Sequence, residues 1–140
     1  KNWLMTVRPE DFDCTIITPY PGSPYYDESL ADPDKAGTFI YTQPKTKDKL
    51  YSLEVDYTTT ADYYKGTPDG GYQSFVYTDY LGAEELVHLR DDLEKSVREK
   101  LEIPFNPSRP ALRYEHSMGQ GLPGFILKQS MKGEECQSQL

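Results

Sequence analysis

Hydrophobic and polar residues alternate with a period of two across residues 50–57, which sets Tyr51, Leu53, Val55 and Tyr57 on one face of a strand. Thr38-Phe39-Ile40-Tyr41-Thr42 alternates in the same way just before it. The polar connection at 43–49 lets the two close as an antiparallel hairpin, with a loop of about seven residues where two to five is usual. Residues 74–78, Ser-Phe-Val-Tyr-Thr, predict a further short strand. The period then changes. Leu86, Leu89, Leu93, Val97 and Leu101 step by three or four and predict one apolar stripe along a long helix packed on the sheet. Glu84 and Glu85 fall in its first turn, and Arg98 and Lys100 in its last, as the helix dipole favours. Asp91 with Lys95, and Glu94 with Arg98, are acid-before-base pairs four apart. Pro104 ends the pattern.

Nearer the start, Thr15-Ile16-Ile17-Thr18 is β-branched throughout and is bounded by Pro19. Such a run predicts a strand buried on both faces of a parallel sheet. Pro21-Gly22 reads as a turn with Gly22 at positive φ, Ser23 as an N-cap, and Pro24 as the first residue of a short helix. Asp27 and Glu28 follow in its first turn. Before the strand, Asn2-Trp3-Leu4-Met5-Thr6-Val7 looks like the last turns of a helix stopped by Arg8-Pro9. That beginning is expected of an excised fragment of a longer chain. Residues 31–37 and 66–71 read as turn-rich, and Thr58 to Lys65 shows no period. The stretch 105–110 is proline-rich, 112–115 is too short to classify, and Gly119, Gly121 and Gly124 give a loop. One domain over 1–132 and a disordered polar tail over 133–140 are expected.

With 140 residues, a net charge of -8 and 36% hydrophobic residues, the chain has room for one modest core. Its mean hydropathy is -0.73 and its pI near 4.7. An acidic surface argues against nucleic acid and anionic membranes as partners. No apolar run approaches the roughly 18 residues that span a bilayer. Cys14 in the strand and Cys136 in the tail lie far apart, which favours reduced thiols and a cytoplasmic protein over a disulfide.

Candidate chemistry is sparse. The Pro21-Gly22-Ser23-Pro24 turn is either a shape element or a place where backbone approaches a ligand. His88, four after Glu84, reads as a helix-stabilising pair rather than a metal site. Glu115-His116 are neighbours that a strand would point apart. Asp11 and Asp13 flank a loop and read as solvating it rather than as a carboxylate pair. Cys14 is expected as an inert thiol with a raised pKa. Gly119-Gln120-Gly121 lacks the strand a phosphate loop requires. The chain has 12 tyrosines. Tyr20, Tyr25, Tyr26, Tyr63, Tyr64, Tyr72, Tyr77 and Tyr80 cluster around the loops, as filler of a small core or as the lining of a recess for an organic ligand.

Thr18-Pro19-Tyr20-Pro21-Gly22-Ser23-Pro24-Tyr25-Tyr26 resembles a "TPYPGTPLY" loop of radical S-adenosylmethionine (SAM) enzymes, most closely the Fe-S oxidoreductase type that carries an upstream cobalamin domain. The likeness runs through Trp3-Leu4 and Arg8-Pro9-Glu10-Asp11-Phe12-Asp13, and returns at Tyr77-Thr78-Asp79-Tyr80-Leu81 and from Glu84 to Asp91. It covers about the first hundred residues, of which the Pro-Gly-Ser-Pro loop is the specific part. The chain departs from the family in lacking the CxxxCxxC cluster motif and the glycine-rich SAM-binding strands. The resemblance therefore implies the carboxy-terminal portion of such an enzyme, inactive alone. Its expected fold is α/β or α+β: a segment of a partial (β/α) barrel, a small antiparallel sheet and one long amphipathic helix. It also implies that Thr18, Pro19, Tyr20, Pro21, Gly22 and Ser23 form a wall of the SAM or substrate pocket. No metal ligand and no cofactor of its own are expected in this piece. SAM, a 4Fe–4S cluster and cobalamin belong to the parent, and its partners are the missing N-terminal part and a small-molecule substrate. The alternative is a non-catalytic module binding a protein or a small molecule through its tyrosine-rich face.

Overall fold

The computed structural model describes residues 1–56 and 72–105. Expectations for Tyr57, the 58–71 stretch, the 106–140 region with its glycines and tail, Glu115-His116 and Cys136 lie outside the described residues. The elements are α1 (Asn2–Val7), α2 (Pro24–Asp27), β1 (Leu30–Ala31), β2 (Thr38–Thr42), β3 (Lys49–Leu53), β4 (Val76–Thr78) and α3 (Ala83–Leu101). The strands form one antiparallel sheet in the order β1-β2-β3-β4. The fold is mixed α/β, with a small sheet and one long helix.

The hairpin of β2 and β3 follows from the alternation. Thr38 pairs with Leu53 and Thr42 with Lys49. Its connection is tightened by the Gln43 side chain, whose Oε1 accepts the Thr46 N–H at 2.8 Å, and by Lys47 at φ 67°. The run at 31–37, read as a loop, contributes Ala31 to β1, where Leu30 faces Ile40 and Ala31 faces Phe39. β4 begins at Val76, two residues later than predicted.

Alternation fixes which residues share a face but not which face is covered. The row Phe39, Ser52, Val76 crosses the sheet on the buried side. Tyr51 and Leu53, which the alternation sets together on one face of β3, are half-buried. Tyr51 stacks on Tyr77, with ring centroids 4.8 Å apart. Tyr72 anchors the other part of the core, with Ile16, Tyr20, Tyr26, Val55, Phe75 and Val87 packed against it.

The helix α3 has the expected bounds. Glu85 Oε2 accepts the Gly82 N–H at 2.7 Å at its start, and Glu102 at φ 58° turns the chain out before Pro104. Its buried face meets the predicted stripe only at Val97. Arg90, Asp91, Glu94, Val97 and Arg98 are buried, whereas Leu89 is 54% exposed and Leu86, Leu93 and Leu101 are half-covered. The reason lies in what the helix packs on. Residues 11–16 belong to no sheet, so their backbone polar groups need side-chain partners. Glu94 Oε2 accepts the Cys14 N–H at 3.0 Å, and Arg90 Nε donates to the Cys14 carbonyl at 2.8 Å. Arg98 donates to Glu94 at 2.7 Å, to Asp11 at 2.9 Å and to the Phe12 and Pro104 carbonyls. Its guanidinium lies between the Phe12 and Phe105 rings, 4.8 and 4.9 Å from their centroids.

This arrangement corrects the reading of Thr15-Ile16-Ile17-Thr18 as a strand in a parallel sheet. The segment joins no ladder, and no barrel segment appears among the described residues. Exposed and half-buried positions still alternate from Asp11 to Thr18, the period of an extended chain.

The buried face of α3 makes a mutational prediction. Arg98→Ala leaves Glu94, 1% exposed, without its hydrogen-bonded cation and is expected to cost on the order of 3–5 kcal/mol. Leu89→Ala, on the predicted stripe but exposed, is expected to change stability by no more than about 0.5 kcal/mol. Urea unfolding of the two variants measures both, and equal losses would restore the leucine stripe as the packing face.

Candidate functional site

The six residues that the sequence singles out lie in one continuous turn between the extended segment and α2. Pro21 and Gly22 occupy its two central positions, and the Ser23 N–H donates to the Tyr20 carbonyl at 2.9 Å. Gly22 sits at φ 89°, the conformation a type II turn demands of its third residue. The Ser23 hydroxyl donates to the Tyr20 carbonyl at 2.7 Å and accepts the Tyr26 N–H at 3.3 Å, capping α2 as predicted. Asp27 Oδ1 closes the loop by accepting the Gly22 N–H at 3.1 Å.

These bonds settle what the turn offers. The Tyr26 and Asp27 amides both point back to Ser23, so the start of this four-residue helix is engaged internally. Pro19 is buried, Tyr20 packs on Tyr72, and Thr18 is half-buried with its hydroxyl 3.5 Å from the Ile16 carbonyl. Gly22 alone is exposed at the tip, and a Cβ added there would meet nothing within 4 Å. The turn is thus a rigid shape that shows bare backbone outward.

A second feature escapes sequence reasoning. A groove of about 350 Å³ runs between the end of β3 and the first turns of α3. Leu53, Phe75 and Val87 supply apolar surface, Tyr72 a wall, and Glu84 and His88 polar groups. The spacing of Glu84 and His88 shows only that they share a helix face; the approach of β3 and residues 72–75 gives that face a groove. Tyr72 joins the two places. Its hydroxyl accepts the Ile16 N–H at 2.9 Å, its ring packs with Tyr20, and the Arg90 guanidinium lies 4.9 Å from the ring centroid.

The remaining candidates are placed as follows. Asp11 is held by Arg98. The Cys14 thiol is half-buried and its pKa is raised, chiefly by burial and then by the nearby Glu94 charge. Burial likewise pushes the Glu94 carboxyl up, against the lowering effect of Arg98. On the outer sheet face, Lys35 Nζ lies 4.7 Å from the Tyr77 centroid. Tyr51 donates to Asp79 Oδ1 at 2.7 Å, which raises the Tyr51 pKa to about 12. Among the described residues no three His, Cys, Asp or Glu side chains gather as a metal site. No described helix is long and apolar enough to cross a membrane.

No protein-family model matches the chain, no curated protein matches it, and no solved structure matches it.

Two outcomes test the local geometry. Ser23→Ala is expected to lower stability by about 1 kcal/mol through loss of the cap, and Gly22→Ala by roughly 1–2 kcal/mol from its left-handed backbone. Thermal unfolding reads both, and an unchanged Gly22→Ala midpoint would contradict the positive φ. Asp79→Asn removes the charged acceptor that holds the proton on Tyr51. The Tyr51 ionisation, followed by tyrosine NMR, should therefore fall from about 12 toward the ordinary value near 10.

Proposed function

We propose that the chain is the carboxy-terminal part of a radical SAM enzyme of the Fe-S oxidoreductase type. In this reading it supplies a wall of the SAM or substrate pocket and leaves the 4Fe–4S cluster, and any cobalamin, to the rest of the parent. The reading rests on the resemblance of the loop at 18–26, and Gly22 is the observation that supports it best. The turn is internally bonded, and its one left-handed residue presents backbone with no side chain of the described residues within 4 Å of an added Cβ. A glycine so placed admits the close approach of a ligand or of another part of the protein.

The work of this piece would be positional. Thr18, Pro19 and Tyr20 anchor the turn in the core, Pro21 and Ser23 set its shape, and Gly22 is its contact surface. Reductive cleavage of SAM by the cluster is the chemistry that the resemblance implies for the parent. Its partners are then the remainder of that polypeptide and a small-molecule substrate, in the cytoplasm.

The parent enzyme tests this. Gly22→Val should fold yet lose SAM affinity or reductive cleavage by about tenfold or more, the effect of about 1.4 kcal/mol. Ser23→Ala should lose less, because the pocket contour survives. A Gly22→Val enzyme that folds and cleaves SAM at the unmodified rate would reduce the loop to a turn.

The groove beside Tyr72 favours a second reading, a non-catalytic module for a small apolar ligand, since its volume lies within the range of ligand pockets. A chemical-shift screen on the isolated chain separates the two. Saturable shifts at Leu53, Phe75 and Val87, together with an indifferent Gly22→Val parent, select the module.

A further inference from the structure

Among the described residues the backbone of residues 14–17 is bonded on one side only. The Cys14 N–H and carbonyl are taken by Glu94 and Arg90, and the Ile16 N–H by Tyr72. In an extended chain the next residues direct their N–H and carbonyl groups to the opposite edge. Those residues are Thr15 and Ile17. Both are exposed, Ile17 by 45%, and among the described residues neither makes a backbone hydrogen bond. The side chains of α3 and of Tyr72 thus stand in for a neighbouring strand on the inner edge and, among the described residues, leave the outer edge open.

We infer that this outer edge is a self-complementary docking strand, on which a second copy of the chain pairs antiparallel with Thr15 opposite Ile17 of the second copy. Three features favour this occupant. Thr15 and Ile17 are β-branched, suit a pleated ladder and would cover each other's exposed side chains. The register sets Asp13 against Pro19 of the second copy rather than against its Asp13, so two acidic chains meet without opposed carboxylates at that point. Pro19, which has no N–H, closes the ladder at the point where α2 and its turn begin. An unpaired edge of this kind invites another chain. The inference is independent of the functional reading above.

The edge predicts opposite responses to proline at adjacent positions. Ile17→Pro removes an outward donor and suits an extended backbone, so the monomer should keep its unfolding midpoint while the dimer dissociation constant rises at least tenfold. Ile16→Pro removes the donor to Tyr72 and should destabilise the monomer itself. Sedimentation of the 140-residue chain over a concentration series reads the association, and amide exchange gives a reading that needs no variant. Thr15 and Ile17 should exchange fast in dilute solution and slow in concentrated solution, with Ile16 protected in both. A chain that stays monomeric throughout, or a dimer in which Thr15 and Ile17 still exchange fast, overturns the inference. So does a dimer that survives Ile17→Pro.

Discussion

The structure depends on a row of charges turned inward. Arg90, Glu94 and Arg98 lie on one face of α3 at successive turns, and all three are buried. Burying a carboxylate and two guanidiniums is costly unless every group is paired. Here the pairing is dense. Glu94 lies between the Arg98 guanidinium and the Cys14 amide, Arg90 reaches the Cys14 carbonyl and Asp91, and Arg98 binds Asp11 and two carbonyls while stacked between two phenylalanine rings. The helix is thereby tied to residues 11–14, which no strand holds.

This tie reaches the candidate site through Tyr72. Arg90 covers the Tyr72 ring, and Tyr72 in turn accepts from Ile16 and packs against Tyr20. The turn at 20–23 therefore hangs from α3 by two routes, one through the Cys14 backbone and one through Tyr72. The same tyrosine walls the groove above Val87. A change at either place is felt through a shared ring, which makes Tyr72 the joint of the described structure.

The hairpin, the cap and the bounds of α3 were legible in the sequence because each is governed by near neighbours. Period two gave β2 and the start of β3. Pro21-Gly22-Ser23-Pro24 specified a turn, a positive φ and an N-cap, and all three are present. The carboxylates at Glu84 and Glu85 and the stop before Pro104 marked the ends of the long helix. In each case the residues that decide the conformation lie within a few positions of one another, and their steric and hydrogen-bonding preferences do not wait for the rest of the fold.

What covers each face was decided by tertiary structure alone. The leucine step in α3 is a real amphipathic pattern, yet Leu89 faces outward and Arg90, Glu94 and Arg98 face inward. The segment they meet offers unpaired backbone amides and carbonyls, and polar side chains satisfy those where leucines cannot. For the same reason a β-branched run at 15–18 has strand composition without a strand partner. Propensity describes how a residue sits in a ladder, not whether a second strand is there. The groove at Glu84 and His88 likewise needs Leu53 of β3, about 30 positions away in sequence, and residues 72–75, about ten away, brought beside α3. Local chemistry thus determined the elements and their caps, while long-range contacts between unlike segments determined which side of each element is inside.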